Sequence, residues 1–116
     1  MGALMEKSEL DRLTGGVLAN TDGASTTVVA APGAGQRLVI TDVIVDNSHA
    51  STKGTVDIRD GASGAVLATY PAPAASGAIH RLGSPLVLSA NTAAAADVSG
   101  AISTVTVTLR GYIAPA

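Results

Sequence analysis

The sequence predicts an all-β protein, an antiparallel two-sheet β-sandwich of about eight strands preceded by a short N-terminal arm or helix. Three observations predict it. From residue 16 onward apolar and polar residues alternate with period two, the repeat of a strand with one buried face. Turn-forming clusters of Gly, Pro, Asn, Asp and Ser arrive about every ten residues, as in sandwiches and barrels. No connection is long and helical enough to carry a parallel crossover, so every pairing is compatible with an antiparallel sheet.

Residues 1–14 alone have helical character: Leu4, Met5, Glu6, Lys7, Glu9, Leu10, Arg12 and Leu13 are mostly good helix formers, and Gly15-Gly16 ends the run. A segment this short needs docking to hold a helix. The chain therefore divides into an arm, 1–15, and a sandwich domain, 16–116. Short strands are expected at 16–20 and 25–31, followed by the turn Pro32-Gly33-Ala34-Gly35. Residues 38–46 form a strong β-branched strand, with Val39, Val43 and Val45 on one face and Leu38, Ile40 and Ile44 on the other. Residues 55–60, with Val56 and Ile58 inward and Asp57 and Arg59 outward, pair with 65–70 as a hairpin. Strands at 78–82 and 86–88 flank Gly83-Ser84-Pro85, and 94–98 follows. The last strand is the clearest. Val105, Val107, Leu109 and Ile113 share one face, with Gly111 standing in their row, and Thr104, Thr106, Thr108, Arg110 and Tyr112 share the other.

Composition removes several function classes. The chain has 116 residues, the size of one domain, and no cysteine, which excludes disulfides, thiolate metal sites and cysteine nucleophiles. Nine acids and seven bases are spread thinly with no basic run, which disfavours nucleic-acid binding. Two tyrosines are the only aromatics, too few for base stacking or an aromatic sugar platform. No apolar stretch reaches the ~18 residues of a membrane span. Charges at 6–11 stand where a signal peptide needs an apolar core, so secretion by that route is not expected, and Glu6 breaks the myristoylation pattern.

The residues that can carry chemistry show no diagnostic spacing. His49 lies in a polar loop and His80 within a strand; without further ligands or a nucleophile, they read as structural or surface histidines. Asp42, Asp46, Asp57 and Asp60 can meet across strands as a carboxylate pair or calcium cage, but no calcium-loop pattern is present. Acids at turns more simply bond local backbone amides. Gly33-x-Gly35 lacks the Gly-Lys-Ser/Thr of a phosphate loop and reads as a turn. No catalytic, cofactor-binding or metal-binding residue is assigned. The stretches 72–75 and 93–96, which carry little side-chain bulk, beside Thr- and Ser-rich strand faces, suggest smooth surfaces that let another backbone or sheet approach closely, or simply an alanine-biased composition.

An ordered series of segments carries a resemblance. It runs through Thr27-Val-Val-Ala-Ala-Pro-Gly-Ala-Gly-Gln-Arg-Leu-Val-Ile, Val45-Asp-Asn-Ser, Thr55-Val-Asp-Ile-Arg-Asp-Gly, Ser84-Pro-Leu-Val-Leu-Ser-Ala-Asn-Thr-Ala, Val98-Ser-Gly and Val105-Thr-Val-Thr-Leu-Arg-Gly-Tyr. In order and spacing these residues, about three-quarters of the chain, resemble the small bacteriophage head decoration, or cement, proteins with a jelly-roll-like β-sandwich. The resemblance implies a structural virion protein, made in the host cytoplasm and added to the capsid exterior. There, often as a trimer, it would bind the major capsid protein and tie neighbouring capsomers together, with no reaction, cofactor, nucleic acid or membrane involved. The arm is then the candidate capsid clamp, through Leu4, Met5, Leu10 and Leu13. Similar sandwiches occur in phage tails and fibres, so a host- or glycan-binding module using loops 47–54 and 70–77 is the alternative. A small hydrolase or metal enzyme built on the Asp and His residues is the third reading.

Overall fold

A computed structural model describes residues 13–14, 25–99 and 105–116. Among them are eight strands: β1 Leu13–Thr14, β2 Thr26–Val29, β3 Gln36–Asn47, β4 Gly54–Asp60, β5 Val66–Ala72, β6 Ser76–Val87, β7 Ala94–Val98 and β8 Val105–Pro115. They form two four-stranded sheets, β1-β8-β3-β6 and β2-β7-β4-β5, with every pairing antiparallel.

The strand order follows from one simple ribbon. Strands pair first with last, β1 with β8, β2 with β7, β3 with β6, and β4 with β5 at the hairpin. Rolling that ribbon adds the contacts β8·β3 in one sheet and β7·β4 in the other, and the result is a jelly roll. The expected two-sheet sandwich is therefore what the chain forms.

The core lies between the sheets. Leu38, Ile40, Val43 and Val45 of β3 and Val105, Val107 and Leu109 of β8 face Val56 and Ile58 of β4 and Ala94, Ala96 and Val98 of β7. No aromatic ring stands among the fully buried side chains. Burying each Val, Leu or Ile contributes about 1.5 to 3 kcal/mol, and alanines on β7 leave room for the longer side chains of the opposite sheet.

The structure corrects the sequence in four places. Strict alternation put Val39, Val43 and Val45 on one face of β3, but Leu38 and Ile40 share the core with Val43 and Val45. The cause is a β-bulge. Ile40 pairs with Gly111 and Asp42 with the adjacent Arg110, so Thr41 is an extra residue that shifts the parity of everything after it. Thr41 turns its hydroxyl to the Arg110 carbonyl at 3.3 Å.

Second, the expected strands 78–82 and 86–88 are one strand, β6, with a broken ladder. Leu86 pairs with Ile40 and Arg81 with Asp42, leaving residues 82–85 bulged out opposite Thr41. Pro85 is tolerated because β6 is an edge strand. Third, Ala72, Ala94 and Ala96 are buried in the core, so much of the expected small-residue smoothness lies within the sandwich. Fourth, Leu13 and Thr14, within the stretch expected to be an arm or short helix, are strand, paired with Gly111 and Arg110; the rest of the arm and the expected strand at 16–20 lie outside the described residues.

Candidate functional site

Asn47 and Asn91 organise the two ends of the sandwich. Asn47, fully buried at the end of β3, donates through Nδ2 to the carbonyls of Thr52 at 2.9 Å and Ala72 at 3.0 Å, and its Oδ1 accepts from the His49 amide at 3.0 Å. His49 continues the arrangement: its Nδ1 accepts from the amides of Thr52, at 3.0 Å, and Ser51, at 3.2 Å, while its carbonyl accepts from the Ala75 amide at 2.7 Å. Loops 48–53 and 73–75 are thereby tied together. The sequence leaves His49 as a structural or surface histidine, and the structure gives it the structural role of holding a loop; Asn47 carries no sequence signal beyond lying in a polar loop.

At the other end Asn91, in the left-handed region at φ 48°, accepts from the Gly33 amide at 3.0 Å through Oδ1 and donates its own amide to the Gln36 carbonyl at 2.7 Å. Gly33 and Gly35 both adopt positive φ in the β2–β3 turn that this clamp holds. Asp60 fixes the neighbouring loops, since its two oxygens accept from the Ser89 amide at 2.9 Å and hydroxyl at 2.5 Å. Asp60→Ala should cost about 1 kcal/mol, read as a lower midpoint in urea, with faster hydrogen exchange at the Ser89 amide; unchanged exchange there would show the carboxylate to be idle.

The remaining candidates do not converge. Asp57 accepts from the Thr69 hydroxyl at 2.6 Å. It stands directly opposite Asp97 in the β4·β7 ladder, a like-charge pair relieved by Arg59, whose Nε lies 2.6 Å from Asp97 and whose Nη1 donates to the Gly64 carbonyl at 3.0 Å. Asp42 and Asp46 are on the other sheet. Among the described residues no three His, Asp or Glu side chains group as metal ligands would. His80 faces inward from β6 and stacks on Tyr70 of β5, ring centroids 4.7 Å apart, closing one side of the sandwich. Its Nε2 has no hydrogen-bond partner among the described residues, and burial pushes the Tyr70 phenol pKa up.

Among the described residues, what stays uncommitted is the outer face of the β1-β8-β3-β6 sheet. In register across β8, β3 and β6 it carries Tyr112, Val39 and Val87, then Arg110, Asp42 and Arg81, then Thr108, Ile44 and Ile79, then Thr106, Asp46 and Gly77. Ile79, at 62% exposure, and Val87, at 49%, are the most exposed large apolar side chains among the described residues, and both lie on the free edge strand. Of the expected clamp residues, Leu13 has its backbone at the opposite edge of this sheet, and Leu4, Met5 and Leu10 fall outside the described residues.

Fold and side-chain placement together define a jelly-roll sandwich whose polar groups mostly hold loops and strands, and whose uncommitted surface is one sheet face and its edge. Neither protein-family models nor curated proteins include a match to this chain.

Proposed function

We propose that the chain is a structural virion protein that binds the outside of a phage capsid as a homo-oligomer and stabilises it by bridging neighbouring capsomers, performing no reaction. The observation that carries this reading is how the side chains are used. His49, Asp57, Asp60, Arg59 and Asp97 all hold the scaffold, while Ile79 and Val87, the most exposed large apolar side chains among the described residues, lie on one sheet edge, as on surfaces that bind other proteins. The capsid is named by the resemblance of the ordered strand and turn segments.

The test is cosedimentation of the purified protein with empty heads assembled from the major capsid protein it is proposed to bind. Saturable binding that raises the temperature at which heads rupture is expected; absence of binding overturns the reading. Deleting residues 1–12, which leaves the β1·β8 pairing of Leu13 and Thr14 in place, should weaken head binding about tenfold or more while the sandwich stays folded. Undiminished binding by that variant removes the arm from the contact.

The alternative, a tail or fibre module that recognises a host surface or glycan, draws support from one observation: loops 48–53 and 73–75 do meet, through Asn47 and His49. Selective binding of the isolated protein to glycans or host cells, with none to heads, would favour it.

A further inference from the structure

The geometry points to a two-fold contact between copies of this chain, in which the β6 edges pair antiparallel about Ile79 and join two four-stranded sheets into one of eight strands. This goes beyond the capsid reading and does not depend on it.

The edge itself is the first argument. Edge strands in monomeric proteins are usually blunted by lysine, proline, a bulge or a covering loop, because their unpaired amides and carbonyls invite another strand. Strand β6 has its bulge and Pro85 at one end only. Residues 76–81 pair regularly with β3 on one side, and Ser76, Gly77, Ala78 and Ile79 are all exposed.

Register favours the same contact. The ladder-competent stretch runs from Ser76 to the start of the bulge at Leu82, and its midpoint is Ile79. An antiparallel pairing about that midpoint sets Ile79 against Ile79 of the second copy, Ala78 against His80, and Gly77 against Arg81. The most exposed apolar side chain of the described residues is then buried against itself, an apolar cross-strand pair.

Charge provides the third and most specific argument. Asp46 lies beside Gly77 on the neighbouring strand β3, and its carboxylate leans over that glycine, with Oδ1 3.0 Å from where a Cβ would stand. Among the described residues neither Asp46 nor Arg81 has an ion pair. In the paired edges, Arg81 of the second copy faces Gly77 across one strand spacing, ~4.8 Å, and reaches over the vacant side-chain position to the Asp46 carboxylate. The two-fold repeats the pair on the other side, the reciprocity an isologous contact requires. A glycine at 77 thus leaves the gap through which the two charges meet.

Sedimentation of the full chain over a wide dilution series tests this. The wild type should show reversible association in even multiples of the chain mass. Ile79→Glu should weaken it about tenfold or more, and so should Asp46→Arg or Arg81→Asp alone, whereas the double variant Asp46→Arg/Arg81→Asp should recover most of the affinity because the pair re-forms with its signs exchanged. All three positions are solvent-facing, and circular dichroism verifies that each variant keeps its fold. A chain that stays monomeric, an odd-numbered oligomer unaffected by Ile79→Glu, or a double variant no better than the singles overturns the contact. Head binding is measured separately, so loss of the dimer and loss of capsid attachment are distinguishable.

Discussion

Gly111→Val is expected to destabilise the protein by about 3 kcal/mol or more, although valine is the residue its place in the sequence calls for. Gly111 continues the buried row Val105, Val107, Leu109 on β8 and is itself buried. It pairs with Ile40 just before the Thr41 bulge, where the kinked β3 backbone is drawn onto it. A Cβ there would run into the Val39 carbonyl oxygen and stand 3.0 Å from the Ile40 Cα. Those are backbone atoms of a central strand, which no rotamer change can move aside, so even Gly111→Ala should lose a large part of the stability. Urea denaturation followed by far-UV circular dichroism reads the effect as a drop in midpoint at similar slope. A valine variant as stable as the wild type would mean that β3 and β8 do not approach this closely, and hence that the bulge is not where the structure puts it.

The same bulge shows what the sequence could and could not reveal. Strand existence was legible almost throughout, because β-branched residues alternate with polar ones between clear turn signals. The β4–β5 hairpin, with Val56 and Ile58 inward, forms as its pattern specifies. Face assignment failed only in β3, where both faces are apolar and the period-two pattern has nothing to contrast with. There the extra residue is Thr41, and a threonine in a strand announces no irregularity. Gly111 was the one visible sign: an unexplained glycine in an apolar row marks a close backbone approach. The merging of two predicted strands into β6 has a similar origin. Gly83-Ser84-Pro85 does interrupt the ladder, but at an edge the chain can bulge outward and resume pairing with the same neighbour.

Less of the candidate site was legible, because it depends on the third dimension. That the histidines and aspartates lack catalytic spacing could be read directly. What Asp60 holds could not: Ser89 is twenty-nine positions away and comes near only because the β4–β5 and β6–β7 loops share one end of the sandwich. Nor does a β6 sequence of small and apolar residues distinguish an edge from a central strand. Only the strand order places Ile79 on a free margin with Asp46 beside it.

Asn47 is the residue whose importance the sequence understates most, and Asn47→Ala should cost about 3 kcal/mol. The side chain is fully buried, and its removal strands two carbonyls, of Thr52 and Ala72, and the His49 amide, in a place where water has poor access. Asn47→Asp sharpens the test. A carboxylate keeps the acceptor for His49 but turns an oxygen toward the two carbonyls that Nδ2 had served, so at neutral pH the loss should exceed that of alanine. Burial and the facing carbonyls would raise the pKa of that carboxyl in the folded state above its unfolded value. The native state then binds more protons than the unfolded one, and the variant should regain stability as pH falls from neutral through the raised pKa, levelling off once the unfolded carboxyl is also protonated. Wild type should show no such gain, because an amide does not titrate. Denaturation midpoints of both proteins across that range give the comparison, and parallel curves would mean that Nδ2 donates to neither carbonyl. The substitution also separates the two functional readings. Freed from Asn47, loops 48–53 and 73–75 should exchange their amide hydrogens faster, Ala75 foremost. Recognition through those loops would suffer with them, whereas the proposed capsid attachment through the arm and the proposed association through β6 should survive wherever the sandwich remains folded.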